Sequence, residues 1–123
     1  MELNKLQLAA AVKAGKAMAA ADGNVAQDEL KVIAIGLHEF GIQGDDCDLI
    51  LSLADAMEPS NMLSILSAMN NEQKKFICGF LSTIMICDGD IDEAETKVWQ
   101  LVSTLAGFPT MTIAEASEYW RTH

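Results

Sequence analysis

The chain has 123 residues, of which half are apolar and 6% aromatic, and eight basic against eighteen acidic side chains give a net charge of −10. This length fits one compact domain over residues 1–123 and is too short for two independent cores. So negative a field repels phosphate backbones and anionic lipid, which excludes nucleic acid as an expected partner, although acidity also serves solubility. Abundant Ala, Leu, Met, Glu, Lys and Gln favour an all-α fold.

The first three predicted helices precede a break at Glu58-Pro59, where proline disfavours helical geometry in the residue before it. The first spans about Leu3 to Ala21, and its apolar residues recur at helical spacing: Leu3, Leu6, Ala10, Ala14, Ala17 and Ala21. The second spans about Ala26 to Phe40, between Gly23 and Gly41. The third is predicted to start with a cap at Asp45 or Asp46 and to carry Leu49, Ile50, Leu53 and Met57.

Four more helices are predicted after the break, which makes about seven in all. Asn70 with Gln73 and Thr112 with Glu115 form capping signatures for two of them. The fifth is apolar on nearly every face from Phe76 onward, which predicts a buried central helix. The approximate ranges of the four are Ser60 to Met69, Glu72 to Cys87, Glu93 to Ala106 and Thr112 to Trp120.

Cysteine usage and apolar runs bear on the compartment. Cys78 and Cys87 would lie about 13 Å apart on one helix, beyond disulfide reach, and without a CxxC or a His near a Cys a zinc site is not expected. Free thiols fit a reducing compartment, and the start of the chain lacks a signal-peptide pattern, so we expect a cytoplasmic protein. The longest apolar run, Phe76 to Cys87, is twelve residues, which favours a buried helix over a membrane span.

Two acidic turns repeat at a separation of 66 positions: Asp88-Gly89-Asp90-Ile91-Asp92-Glu93-Ala94-Glu95 echoes Asp22-Gly23-Asn24-Val25-Ala26-Gln27-Asp28-Glu29. The repeat predicts two pseudo-symmetric helix-turn-helix halves around the central helix. Each turn matches the second half of an EF-hand loop, with Asp, Gly, an apolar residue and Glu at the required offsets. The first half is missing, because Ile84 and Ile86, or Met18 and Ala20, stand where oxygen ligands belong.

Neither turn is therefore predicted to hold calcium alone, but two half-sites packed about a pseudo-twofold axis would pool their carboxylates. Calcium or magnesium prefers oxygen ligands of this type. The candidate metal ligands are Asp22, Glu29, Asp88, Asp90, Asp92 and Glu95.

A purely structural helix corner is the alternative interpretation of the turns. Asp92 and Glu95 would form a capping box, and Ile91 or Val25 would pack into the core. Against it, Asp22 and Asp88 stand where the preceding helix ends, and a negative charge there is disfavoured by about 0.3–1 kcal/mol. Both interpretations remain open from the sequence.

The pattern Ala-Ala-Asp-Gly-x-Val-x-x-x-Glu, repeated as Ile-Cys-Asp-Gly-Asp-Ile-Asp-Glu-Ala-Glu, resembles the TerB-like tellurite-resistance family over nearly the whole chain. The resemblance implies an all-helical fold with two related halves, and a suspected metal-binding role for Asp22, Glu29, Asp88 and Glu95. It also implies an association with tellurite resistance or a wider stress response, through protein partners rather than catalysis. Ala26 departs from the helix cap common in the family, which makes the first turn the weaker site.

No enzymatic activity is expected, because neither His38 nor His123 stands beside a nucleophile. Two functions are compatible with these observations: a cation-responsive binding module, or a metal-independent helical adaptor whose acidic face recruits a basic protein partner. Tyr119 and Trp120 either dock the last helix or mark a partner surface. Four methionines at core-like positions are predicted to serve packing: Met57, Met62, Met69 and Met85.

Overall fold

A computed structural model describes residues 3–19, 42, 44–86 and 93–122. Within these ranges the chain forms six α-helices and no strand, and none of the six is long and apolar enough to span a membrane. The helices are α1 Lys5–Ala19, α2 Asp45–Ala56, α3 Pro59–Ser67, α4 Asn71–Ile86, α5 Glu93–Leu105 and α6 Ile113–Thr122. The all-helical prediction is confirmed, while the predicted helix from Ala26 to Phe40 and the predicted pseudo-symmetry depend on residues outside these ranges.

Helix α4 carries a long buried stretch of the one hydrophobic core to which all six helices contribute. From Phe76 to Met85 every residue except Thr83 is buried, which confirms the predicted burial of this helix. The hydroxyls of Ser82 and Thr83 both donate hydrogen bonds to the carbonyl oxygen of Gly79, at 2.7 and 3.0 Å. These two polar side chains are therefore accommodated in the apolar part of the helix, because each hydroxyl group makes a hydrogen bond.

Three of the four methionines predicted to pack in the core do so. Met62, Met69 and Met85 are 5%, 4% and 0% exposed. Met57 is only partly buried and packs against the edge of the core.

Helix α1 buries a wider face than the predicted stripe. Leu6, which the stripe includes, is 54% exposed, and Ala17 is exposed as well. The buried residues are Leu8, Ala9, Ala10, Ala11, Val12, Ala14, Gly15 and Met18. The prediction of a single stripe was wrong because α1 contacts four other helices, α2, α3, α4 and α5, and its small alanines let them approach from several directions.

Reciprocal capping boxes start three helices. At α4, the Gln73 amide donates to Asn70 Oδ1 at 2.9 Å and the Asn70 amide donates to Gln73 Oε1 at 3.0 Å. Thr112 and Glu115 exchange the same pair of bonds at α6, at 3.0 and 3.1 Å. These two boxes confirm the sequence predictions, and a third, unpredicted box joins Asn4 and Gln7 at α1.

The predicted aspartate cap of α2 was wrong. The helix begins at Asp45, and its N-cap residue is Gly44, which has a φ of 59°. Glycine has no side chain, so the helix start has no side-chain cap. Asp45 and Asp46 lie instead in the first turn, where a negative charge interacts favourably with the helix dipole. Asp46 also accepts a hydrogen bond at 3.2 Å from the ammonium group of Lys5, which ties α2 to α1.

Helix α6 lies against α4 at a close approach that requires glycine. A Cβ atom at Gly79 would stand 2.5 Å from the carbonyl oxygen of Ala116 and 2.8 Å from Cβ of Trp120. The Trp120 ring packs on Phe76 and Phe80, with ring centroids 4.7 and 5.4 Å apart. Trp120 therefore docks the last helix, which was one of the two roles predicted for it.

Candidate functional site

One of the six candidate metal ligands, Glu95, lies in the part of the chain that the structure describes. Glu95 is the third residue of α5 and is 1% exposed, one of two buried polar or charged residues in the described part of the chain. The other five candidate ligands lie outside the described residues: Asp22, Glu29, Asp88, Asp90 and Asp92. The prediction that the two turns pool their carboxylates accordingly stays a prediction.

Glu95 is buried because it shares a face of α5 with the apolar residues that pack inward. Trp99 follows it by four positions and Val102 by seven, and these two side chains are 7% and 6% exposed. Residues four and seven apart lie on one side of a helix. This side of α5 packs against α1, α3 and α4, so the register of the helix carries the carboxyl group into the interior.

Comparison with the capping boxes shows why this position is unusual. The third residue of each of the three helices that start with a capping box is also a Gln or Glu: Gln7 in α1, Gln73 in α4 and Glu115 in α6. None of these three side chains is buried. Glu115 reaches back to the Thr112 amide from a fully solvated position. Capping the helix therefore does not require the burial that Glu95 has.

A buried carboxylate must be compensated by hydrogen bonds, an opposite charge or a metal ion, because water no longer solvates it. Glu95 does take part in interactions within the fold. Among the residues that the structure describes, no group of three or more His, Cys, Asp or Glu side chains is placed to hold a metal ion. A calcium ion needs six to eight oxygen ligands, so a cation at Glu95 would draw most of its ligands from elsewhere.

The Cys78 thiol of α4 is the main alternative source of chemistry in the core, and its environment makes it unreactive. Burial raises the pKa of Cys78 to about 11, and the Ser103 hydroxyl opposes the shift only in part. The group is therefore a neutral thiol near pH 7, whereas nucleophilic and metal-binding cysteines react as thiolates. Cys78 and Cys47 are both free of disulfide bonds, as the sequence predicted for Cys78.

In the described residues the chain is an all-helical protein, and its sequence carries a repeated Asp-Gly turn that ends in Glu95. Comparison with known families then identifies the family. The chain matches the family described as "Tellurite resistance protein TerB" over residues 6–118. It therefore belongs to the TerB family, and the resemblance inferred from the two turns is confirmed. No curated protein sequence matches the chain.

A solved structure matches the fold over nearly its whole length. It is the crystal structure of a protein of unknown function, PG1108 from Porphyromonas gingivalis W83, which is 38% identical to this chain with a TM-score of 0.88. The match covers 98% of this chain and 92% of that one. The similarity supports the helical fold, and it points to no ligand or partner.

Proposed function

We propose that this TerB family protein is a non-enzymatic cation-binding module that acts through protein partners in tellurite resistance or a wider stress response. Its two Asp-Gly turns would supply carboxylate ligands to one calcium or magnesium ion, with Glu95 as the buried member of the set. The family supplies the association with tellurite resistance, and the chain's own residues supply the reason to expect a cation.

The observation that carries the proposal is the burial of Glu95, at 1% exposure, at the end of a turn with four further carboxylates. A glutamate that only caps a helix remains in water, as Glu115 does. Burial of a carboxylate is favourable at a metal site, where the ion replaces the lost solvation. Hard cations select carboxylate oxygens over the thiol and imidazole ligands, and no thiol or imidazole belongs to the two turns.

Thermal unfolding in the presence of metal tests the proposal directly. A cation that binds only the folded protein stabilises it by about 2.7 kcal/mol at a concentration of 100 Kd, which raises Tm by about 10 °C for a domain of this size. We expect such a rise with millimolar calcium or magnesium, with manganese as a third probe. The double variant Asp22→Asn/Asp88→Asn should lose it.

Glu115→Gln is the matched control, because it neutralises a solvated helix-capping glutamate outside the turns. It should retain the full metal-dependent shift, and Glu95→Gln should not. Unchanged Tm with all three cations would contradict cation binding, as would an equal shift in the double variant.

A metal-independent adaptor that recruits a basic protein partner is the second candidate function. It is favoured by helix α2, whose four aspartates Asp45, Asp46, Asp48 and Asp55 are all exposed and which has no basic residue. An adaptor of this kind would bind its partner equally well in chelator, and binding would weaken as salt is added. Binding that requires the metal would contradict it.

A further inference from the structure

Helices α1, α2 and α3 enclose an open groove of about 370 Å³. Its apolar lining is Leu6, Leu53, Ala56, Met57 and Ile65. Leu6 belongs to α1, the next two belong to α2, Met57 ends α2, and Ile65 belongs to α3. None of these residues belongs to either acidic turn, so a function of this groove is independent of the proposed cation site.

The groove leaves large apolar side chains in water. Leu6 is 54% exposed, and Leu53, Met57 and Ile65 are only partly buried. Leu49, one turn before Leu53 on α2, is 44% exposed and extends the apolar surface along the helix. Covering such side chains releases the water that solvates them, and a contiguous apolar surface of this kind typically marks an interaction site.

Acidic side chains border this apolar surface. Asp45 precedes Leu49 by four positions and Ala56 by eleven, which places it on the same side of α2. Glu58 follows Met57 directly and is exposed. The nearby basic residue Lys5 is already paired with Asp46 at 3.2 Å, and α3 has no charged residue. The border of the groove is therefore negative.

The net charge of the chain and the length of the groove indicate what kind of partner binds there. A second copy of this chain carries the same charge of −10, so it would be repelled at long range. The span from Leu49 to Met57 is about 12 Å, which matches about two turns of a helix laid along the groove. Amphipathic helices bind such grooves through apolar anchors spaced three or four residues apart.

We propose that this groove docks an amphipathic helix of a partner protein, with apolar side chains seated on Leu6, Leu53 and Ile65. Lys or Arg residues on the flanks of that helix face Asp45 and Glu58. The apolar contacts provide most of the affinity, and the charges orient the helix and speed its association.

A fluorescein-labelled helical peptide of about 14 residues, built from Leu on one face and Lys on the other, is the probe. Its binding to the full chain is measured by fluorescence anisotropy in chelator. Leu6→Gln removes an apolar anchor from an exposed position and should weaken binding about tenfold. Leu101→Gln is the matched control, since Leu101 is 57% exposed on α5 and lies outside the groove, and it should bind as the parent does.

Charge is tested with a second matched pair of exposed glutamates. Glu58→Gln should weaken binding and reduce its salt dependence, whereas Glu72→Gln at the start of α4 should change neither. Backbone amide NMR shifts on adding the peptide should be largest in α2, α3 and the first turn of α1.

Three results would overturn the proposal. Equal binding by Leu6→Gln and Leu101→Gln would mean that the peptide is held by general charge attraction. Equal affinity for a peptide with Glu in place of Lys would mean that the acidic border does not select the partner. A dimer of this chain in sedimentation experiments that Leu6→Gln dissociates would assign the groove to a second copy.

Discussion

Helices α5 and α6 begin with the same signature and place its glutamate in opposite environments. Glu95 and Glu115 are each the third residue of their helix. Glu95 is 1% exposed, whereas Glu115 is exposed and bonded to the Thr112 amide at 3.0 Å. The difference shows that a capping signature does not determine where its carboxyl group lies.

The register between the glutamate and the apolar face determines it. Glu95 precedes the buried Trp99 by four residues, so both point to the same side of α5. Glu115 immediately precedes the buried Ala116 and is turned away from the core by about 100°. One carboxylate is therefore available for a site inside the fold, and the other serves the helix end alone.

The largest effect is expected from Gly79→Ala, which breaks the α6 side of this comparison. Helix propensity alone favours alanine over glycine by about 1 kcal/mol. The new Cβ would stand 2.5 Å from the backbone oxygen of Ala116, so α6 must move away from α4. We expect a net destabilisation of about 3 kcal/mol in urea unfolding, opposite in sign to the propensity.

Gly44→Ala separates steric overlap from backbone strain. Gly44 has a φ of 59° and no atom within 4 Å of the position its Cβ would occupy, so its cost of about 1 kcal/mol comes from the left-handed backbone. If Gly79→Ala lowers the free energy of unfolding by no more than Gly44→Ala does, the close packing of α6 on α4 does not determine the position of Glu115.

The next effect sharpens the comparison through the glutamates themselves. Glu95→Gln should destabilise the protein by about 2 kcal/mol in chelator, because it disturbs the interactions of a polar group that is buried from water. Glu115→Gln should have a smaller effect, since glutamine can still accept the Thr112 amide bond, as Gln73 accepts that of Asn70. Urea unfolding of both variants measures the difference, and equal losses would show that the burial of Glu95 has no energetic role.

The local features of this fold could be predicted because they depend on a few adjacent residues. The break at Pro59, the capping boxes of α4 and α6 and the burial of α4 from Phe76 onward could all be predicted from the sequence. The exposure of Leu6 was not, because it depends on how four helices surround α1. The Gly44 start of α2 was missed because two aspartates beside it offered a more familiar cap.

The candidate site shows the same division. The repeated Asp-Gly turns identified the family and the candidate ligands, including Glu95. The spacing of four residues between Glu95 and Trp99 places the glutamate on the buried face of α5, but an apolar pattern includes no acidic residue and so does not predict its burial. The groove between α1, α2 and α3 had no sequence signal, since Leu6, Leu53 and Ile65 come from three separate helices.

The smallest effect is expected from acid, and it tests the solvated side of the comparison. Hydrogen bonds from the Thr112 amide and hydroxyl lower the pKa of Glu115 from its ordinary value of 4.5, and the Lys16 ammonium lowers the pKa of Asp55 from 3.8. Because folding lowers both pKa values, the two carboxylates stabilise the folded protein fully above the ordinary values, and this stabilisation is lost as the pH falls through the lowered ones.

Thermal unfolding from about pH 5 to about pH 2 should therefore show a slightly shallower loss of Tm in Glu115→Gln and in Asp55→Asn than in the parent. The effect is small because both carboxylates remain in water, where screening weakens their contacts. Identical pH profiles for the parent and both variants would show that these surface contacts contribute nothing to folding.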